Sequence, residues 1–130
     1  MKRKYFLVVL FLILAMFLSG CGIVTDEEKV RDVIDEYFLA ISDQEWEKAK
    51  SYCIYESDVY YETCDFEDYV DSLNLDFSFV DITFLVDIFD IRINGNDASA
   101  YVDGILNIIT DDSSIIDSSS GNFYLQKVDN

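Results

Sequence analysis

The sequence predicts an α+β fold in which N-terminal helices pack on a curved antiparallel sheet. Residues 25–73 carry apolar side chains at spacings of three and four, as amphipathic helices do. Residues 77–127 are instead rich in Phe, Val and Ile, alternate between apolar and polar, and contain a strong hairpin signal. Helical segments followed by strands, rather than alternating with them, are typical of α+β domains.

The first 20 residues are expected to lie outside this domain. Lys2, Arg3 and Lys4 precede an apolar run, Tyr5–Leu18, that as a helix would span about 21 Å. A bilayer core needs about 30 Å, so the run suits a secretory signal peptide better than a lasting membrane span. The alternative is an ordinary N-terminal membrane anchor that is never cleaved.

The residues that end the run point to a lipid anchor. Leu18-Ser19-Gly20-Cys21 closely resembles the lipobox of bacterial lipoproteins. The resemblance implies that residues 1–20 are removed, that Cys21 carries palmitate and other acyl chains, and that residues 21–24 are a short tether. Two or more acyl chains make membrane attachment stable. The single α+β domain, residues 25–130, is then expected on the extracytoplasmic face of the cell membrane.

The first helix has the clearest signal. Thr25 and Glu28 have the spacing of a capping box, and the acidic residues beside them complement the positive end of a helix dipole. The apolar residues that follow form one stripe: Val30, Val33, Ile34, Tyr37, Phe38 and Ile41.

Two shorter helices are predicted after it. Ser42-Asp43-Gln44-Glu45 has the pattern of a second capping box, and a helix is expected from Asp43 to about Tyr52. The tyrosine-rich segment Ile54–Thr63 is interpreted as a loop. Asp65 is expected to cap a third helix that runs to Leu73.

The sheet is predicted to begin with a strand within Phe77–Ile93. Phe89, Ile91 and Ile93 alternate with polar residues and are expected to share one face. The tetrapeptide Asn94-Gly95-Asn96-Asp97 predicts a tight hairpin turn.

The second strand is predicted from Ala98 to Ile109, with Ala98, Ala100 and Val102 on one face. Gly104 is a candidate for a bulge or bend. Residues 111–121 are interpreted as a polar loop, and Phe123 is expected to start the last strand.

The helices and strands together resemble a known superfamily. Val30–Cys53, with its Tyr37-Phe38 and Trp46, is similar to the first two helices of NTF2-like (cystatin-like) domains, and Gly121–Lys127 looks like part of their sheet. The resemblance implies a cone between the long helix and the sheet, which some members use for ligand binding or catalysis. Those domains usually continue into a Trp-containing terminal strand, so here the closing strand is lacking or the chain is truncated.

The charge excludes some partners and favours others. The chain has 9 basic and 26 acidic residues, for a net charge of −17. Without residues 1–20, which hold three basic residues and no acidic one, it becomes −20. Such a field repels nucleic acid and anionic lipid surfaces and attracts cations or basic partners.

Cysteine and histidine content limits the chemistry. With Cys21 lipidated, Cys53 and Cys64 are left either to form a disulfide or to remain as two free thiols. The chain has no histidine, which removes histidine-containing zinc sites and triads, and no acidic cluster has EF-hand spacing. No cofactor, metal site or catalytic residue is predicted.

Two functions from different classes remain. The first is a non-catalytic binding or accessory module that presents its acidic sheet or a tyrosine-rich surface (Tyr55, Tyr60, Tyr61) to an envelope partner. The second is a small-ligand binder or enzyme with a pocket between the first helix and the sheet. The pocket candidates are Tyr37, Asp87, Asp90 and Tyr101, although core packing for the first tyrosine and solvent exposure for the aspartates are the simpler interpretations.

Overall fold

The computed structural model of the chain describes residues 24–73 and 80–127, and within them the predicted α+β fold is confirmed. Three helices precede a three-stranded antiparallel sheet of order β1-β2-β3. The elements are α1 Asp26–Ser42, α2 Trp46–Ser51, α3 Asp58–Ser72, β1 Asp81–Asn94, β2 Asp97–Ile109 and β3 Ser114–Gln126. None of these helices is long and apolar enough to cross a membrane. The lipobox and the first residues of the predicted strand Phe77–Ile93 lie outside the described residues.

The capping box and the apolar stripe predicted for α1 are confirmed. Thr25 Oγ1 accepts a hydrogen bond from Glu28 N at 3.2 Å, and Glu28 Oε2 accepts one from Thr25 N at 2.9 Å. These two bonds satisfy backbone donors that the first helical turn leaves free. In the stripe, Val30, Ile34, Tyr37 and Ile41 are buried and Phe38 packs against the core, whereas Val33 is 38% exposed and departs from the prediction.

The second predicted capping box is wrong. Ser42 still belongs to α1, where its hydroxyl donates to the carbonyl of Phe38 at 3.0 Å. Gln44 takes a left-handed conformation (φ 59°), which turns the chain. α2 therefore begins only at Trp46, after Glu45, whose side chain makes no capping bond.

The third helix begins earlier than predicted, and residues 58–63 are helix rather than loop. Ser57 is its N-cap and accepts from Tyr60 N at 3.2 Å. Its buried residues are Thr63 and Val70. Thr63 is polar, so the inward stripe of α3 does not look apolar in the sequence.

A bulge in β1 alters the predicted strand face. The register shifts between Phe89 and Arg92, and Asp90 has a positive φ of 53°. Ile91 packs against the core, whereas Phe89 is 42% exposed and contacts Tyr101 at a centroid distance of 5.0 Å. The prediction that Phe89 shares a face with Ile91 is therefore wrong, because an extra residue reverses the alternation of side chains.

The predicted hairpin turn is confirmed. Asn94 pairs with Asp97, and Gly95 between them has a φ of 62°. A positive φ at the first central residue is what a two-residue hairpin turn requires, and glycine adopts it without strain.

The third strand is longer than predicted, since residues 114–121 belong to β3 and only 110–113 connect it to β2. Gly104 marks no bulge, because the pairing runs unbroken from Val86 through Gly104 to Ser119. The polar first half of β3 resembles a loop in sequence because all its residues up to Ser120 are exposed.

The core lies between the helices and the inner face of the sheet. One cluster joins Val30 and Ile34 of α1 to Ala100 and Val102 of β2. Two further clusters extend it, one around Tyr37 and Ala49 between α1 and α2, the other around residues 70, 82 and 108. Apolar packing therefore fixes the positions of α1 and α3 relative to β2.

Candidate binding groove

A cavity of about 1140 Å³ opens between the helices and β3. This cavity, hereafter the groove, is bounded by α1, the first turns of α3 and the inner face of β2 and β3. Its floor is largely apolar, with contributions from Val30, Ile34, Phe84, Val102 and Phe123. A space of this size and lining is typical of sites that bind small molecules or peptide side chains.

The third strand forms one wall of the groove along its edge. Residues 119–127 line the cavity without interruption. Because successive side chains of a strand point to opposite faces, an unbroken run means that the strand edge itself borders the space. Gly121 faces inward here, opposite the buried Val102, and leaves room that a larger side chain would fill.

The charged residues of the groove are exposed and mostly acidic. They comprise two basic residues against five acidic ones, namely Lys29 and Lys127 against Asp26, Asp58, Glu62, Asp97 and Asp117. Lys127 Nζ lies 3.9 Å from Asp26 Oδ1, which places the end of β3 beside the start of α1. The groove thus combines an apolar floor with a rim that attracts positive charge.

Tyr37 is the one pocket candidate from the sequence that lies in the groove. Its hydroxyl is 2.9 Å from Thr63 Oγ1, which in turn donates to the carbonyl of Val59 at 2.6 Å. Tyr37 is 9% exposed, and burial raises its pKa to about 12. The phenol is therefore neutral at physiological pH and holds α1 against α3.

The raised pKa of Tyr37 predicts a loss of stability at alkaline pH. In the unfolded chain the phenol ionises near pH 10, whereas in the folded protein it keeps its proton until about pH 12. The folded state then binds more protons, so the free energy of unfolding falls as pH rises from about 10 to about 12, by roughly 3 kcal/mol in all.

Urea unfolding at several pH values, compared between the unaltered chain and Tyr37→Phe, measures this effect. At pH 7 the substitution is expected to cost about 1 kcal/mol for the lost hydrogen bond. The difference between the two proteins should shrink and reverse above about pH 10. A difference that stays constant across that range would contradict the burial of the Tyr37 hydroxyl.

The other three pocket candidates lie away from Tyr37. Asp87 and Tyr101 point to the outer face of the sheet, and Asp90 is exposed at the bulge. The Tyr101 hydroxyl donates to Ser120 Oγ at 3.0 Å on that face. The structure does not bring the four candidates together, so they form no common site.

Cys53 and Cys64 are not bonded to each other in the structure. The Cys53 thiol lies 3.5 Å from the carbonyl oxygen of Ala49, and burial raises its pKa. A disulfide between these two cysteines stays a prediction. The intact mass of the protein, measured before and after reduction, would test it.

The tyrosine-rich surface continues from the α2–α3 connection into α3. Tyr60 contacts Tyr55 and Tyr61 at centroid distances of 5.2 and 5.8 Å, in edge-on geometry. Tyr55 is 73% exposed and Tyr61 52%. These rings pack mainly on one another, and none of the three lines the groove.

Sequence reasoning missed much of the groove, including Thr63, Ser119 and Gly121. The only local signal for the groove in the sequence is the run of small residues Ser118-Ser119-Ser120-Gly121. Small side chains suit a stretch of strand on which no helix packs directly. In the described part of the chain, no group of three or more Cys, Asp or Glu side chains is arranged to hold a metal ion.

The chain was compared with known proteins at three levels. No protein-family profile, no curated protein and no solved structure matches it. The groove itself is therefore the basis for assigning a function.

Proposed function

We propose that this protein is a lipid-anchored binding module of the bacterial cell envelope and that the groove is its binding site. The lipobox-like Leu18-Ser19-Gly20-Cys21 supports the anchor and the extracytoplasmic location. The groove supports the binding role. The domain then holds its ligand close to the membrane surface, because only four residues separate Cys21 from the first residue of α1.

The observation that carries the binding role is the open, apolar groove of about 1140 Å³. Acid–base catalysis would call for a carboxyl or similar group inside the cavity, where burial tunes its pKa. The acidic residues of the groove are instead exposed, and its buried phenol, Tyr37, is held neutral. Binding without reaction suits this arrangement better than catalysis.

The finer fold assignment is part of this proposal. A long α1 that packs across an antiparallel sheet, with a cavity between them, fits the NTF2-like (cystatin-like) architecture. In this architecture the groove corresponds to the cone between helix and sheet. An experimental structure with an additional strand beside β1 or an α1 outside the cavity wall would argue for another fold.

The composition of the groove defines the ligand class. The apolar floor favours aliphatic or aromatic groups, because their burial is worth roughly 25 cal/mol per Å². The acidic rim, with five carboxylates against two lysines, favours positive charge beside them. We therefore expect a ligand that is apolar and cationic.

A groove-filling substitution tests the binding site. A Cβ atom added to Gly121 would meet no heavy atom within 4 Å, so Gly121→Trp is expected to fold. Its indole would occupy the groove. The probe is N-phenyl-1-naphthylamine, an uncharged dye that brightens in apolar surroundings. Dye binding is measured as saturable fluorescence with the full-length protein in detergent, after subtraction of the signal from detergent alone. This fluorescence is expected to be about tenfold lower in Gly121→Trp than in the unaltered protein.

Ser118→Trp is the matched control, because it places the same side chain on the same strand, at the opposite face and at an exposed residue that does not line the groove. This variant is expected to bind the dye as the unaltered protein does. If both tryptophan variants bind the dye equally well, or if the unaltered protein does not bind it, the groove is not the binding site.

A further inference from the structure

The two edges of the sheet differ in how their backbone groups are satisfied. At the outer edge of β1, the Phe84 N–H donates to Ser42 Oγ at 3.3 Å, and Arg31 donates to the carbonyl of Ile88 at 2.7 Å. Both side chains belong to α1, which thus closes part of this edge. Exposed strand edges are sites where other chains pair, and natural proteins commonly cover them.

The outer edge of β3 has no such cover among residues 24–73 and 80–127. Lys127 N donates to the carbonyl of Asn96 at 2.7 Å, and Thr110 N donates to that of Ser113 at 2.8 Å, at opposite ends of the β2–β3 ladder. From both bonds it follows that the odd-numbered residues of β3 are the ones whose backbone N–H and carbonyl groups form hydrogen bonds with β2. The even-numbered residues therefore direct their N–H and carbonyl groups away from the sheet.

Among the described residues, only the first part of this edge is blocked. The N–H of Ser118 donates to the carboxylate of Asp117 at 2.9 Å. Beyond it, the outward backbone groups belong to residues that line the groove, namely Ser120, Asn122, Tyr124 and Gln126. The backbone of each of these residues offers one N–H donor and one carbonyl acceptor to the groove.

We propose that the groove binds an extended peptide segment of a partner protein, which pairs with β3 as a fourth strand. Alternate side chains of that segment enter the groove and are apolar, because Phe123 and Leu125 lie on the inner face of β3. The remaining side chains point to the outer face of the sheet and include lysine or arginine, attracted by Asp103, which is exposed on that face opposite Ser120. Strand addition of this kind takes its affinity from main-chain hydrogen bonds and its specificity from pockets for alternate side chains.

Charge argues for a basic partner over a second copy of this chain. Each copy carries a net charge of −17, and five of its carboxylates but only two of its lysines lie in the groove. Two copies meeting at this edge would bring like charges together, which raises the free energy of association. This inference rests on the proposed function, since it assumes that the groove is the binding site.

The test uses fluorescein-labelled seven-residue peptides and the full-length protein in detergent. One peptide alternates lysine with valine, and its counterpart alternates glutamate with valine. Fluorescence anisotropy is expected to show saturable binding of the lysine peptide and at least about tenfold weaker binding of the glutamate peptide. Equal binding of the two would overturn the charge argument.

Asn122→Pro tests the strand edge directly. Asn122 directs its N–H away from β2, so proline removes an outward donor and leaves the β2–β3 ladder in place. We expect this variant to bind the lysine peptide about tenfold more weakly or worse. The control Ser118→Pro, at a residue outside the groove whose N–H already donates to Asp117, is expected to bind it unchanged. A lysine peptide methylated at all its backbone amides is expected to lose binding to the unaltered protein, and this result does not depend on the folding of a variant.

Other outcomes separate this inference from the proposed function. If the methylated peptide binds as well as the unmethylated one, strand addition is refuted. It is also refuted if the lysine peptide does not bind while the dye binds and Gly121→Trp excludes the dye. In both cases the groove remains the binding site. Self-association that Asn122→Pro abolishes would assign the edge to a second copy instead. Failure of dye and peptide together would refute both proposals.

Discussion

Replacing Cys21 by serine is expected to leave the chain unprocessed and without lipid. The resemblance of residues 18–21 to a lipobox implies that the Cys21 sulfur carries the lipid and that residues 1–20 are removed. A serine hydroxyl provides no thioether, so the variant should keep residues 1–20 and incorporate no labelled palmitate. Each buried CH₂ of an acyl chain is worth about 0.8 kcal/mol, and complete loss of the chains removes the stable anchor.

Intact mass and palmitate labelling are the measurements for Cys21→Ser. They are more decisive than membrane fractionation alone, because an uncut apolar segment at Tyr5–Leu18 can itself hold a precursor at the membrane. Cys53→Ser is the matched control, since it makes the same exchange within the folded domain and should leave processing and lipid unchanged. Equal labelling of the unaltered chain and Cys21→Ser, with masses that differ only by the exchange of sulfur for oxygen, would refute the lipid anchor.

Replacing Ile34 by alanine is expected to cause a large loss of stability. Ile34 is 2% exposed and packs with Val30, Ala100 and Val102 at the centre of the α1–β2 contact. Truncation of a buried isoleucine removes its transfer free energy and leaves a cavity, and such changes cost about 2–5 kcal/mol. Urea unfolding should therefore show a lower midpoint with an unchanged slope.

The neighbouring Val33 supplies the comparison for this experiment. It lies one residue earlier on the same helix but is 38% exposed, so Val33→Ala is expected to cost about 1 kcal/mol or less. Because both variants end in alanine within one helix, their difference reports burial once the one further methylene that isoleucine loses, worth about 0.8 kcal/mol, is allowed for. Equal losses in the two variants would contradict the orientation of α1.

The parts of the fold that depend on local sequence were predictable. The Thr25–Glu28 box and the stripe of α1 are set by residues within a few turns of one another, and both are present in the structure. The Gly95 turn is local in the same sense, because a positive φ at one residue selects glycine.

The missed features depend on distant partners. Thr63 can be buried because its hydroxyl is hydrogen-bonded to that of Tyr37, which lies 26 residues earlier. A polar residue therefore stands on the inward face of α3, and the apolar pattern of the helix is not visible in the sequence. The bulge at Asp90 occupies a left-handed conformation that nothing in its neighbours requires. The bulge places Phe89 on the opposite face of the sheet from Ile91, so a prediction from the alternation of apolar and polar side chains fails there.

The candidate site was only partly predictable for a related reason. Tyr37 was recognisable as an inward tyrosine, but a groove is a space between elements, and its size depends on how far α3 lies from β3. Asp87 and Tyr101 belong to the outer face because of their register with β2, which pattern alone does not assign. The exposed first half of β3 removed the apolar alternation that would have identified the strand.

The bonds from α1 to the edge of β1 also have a mechanical consequence. Arg31 contacts Ile88 near one end of α1, and Ser42 contacts Phe84 at the other, so the helix runs antiparallel to the strand. A force applied through residues before Thr25 enters the domain at the start of α1 and reaches the Arg31 bond first. The two bonds would then break one after the other rather than together, so α1 would peel from the edge of β1 beginning at Arg31.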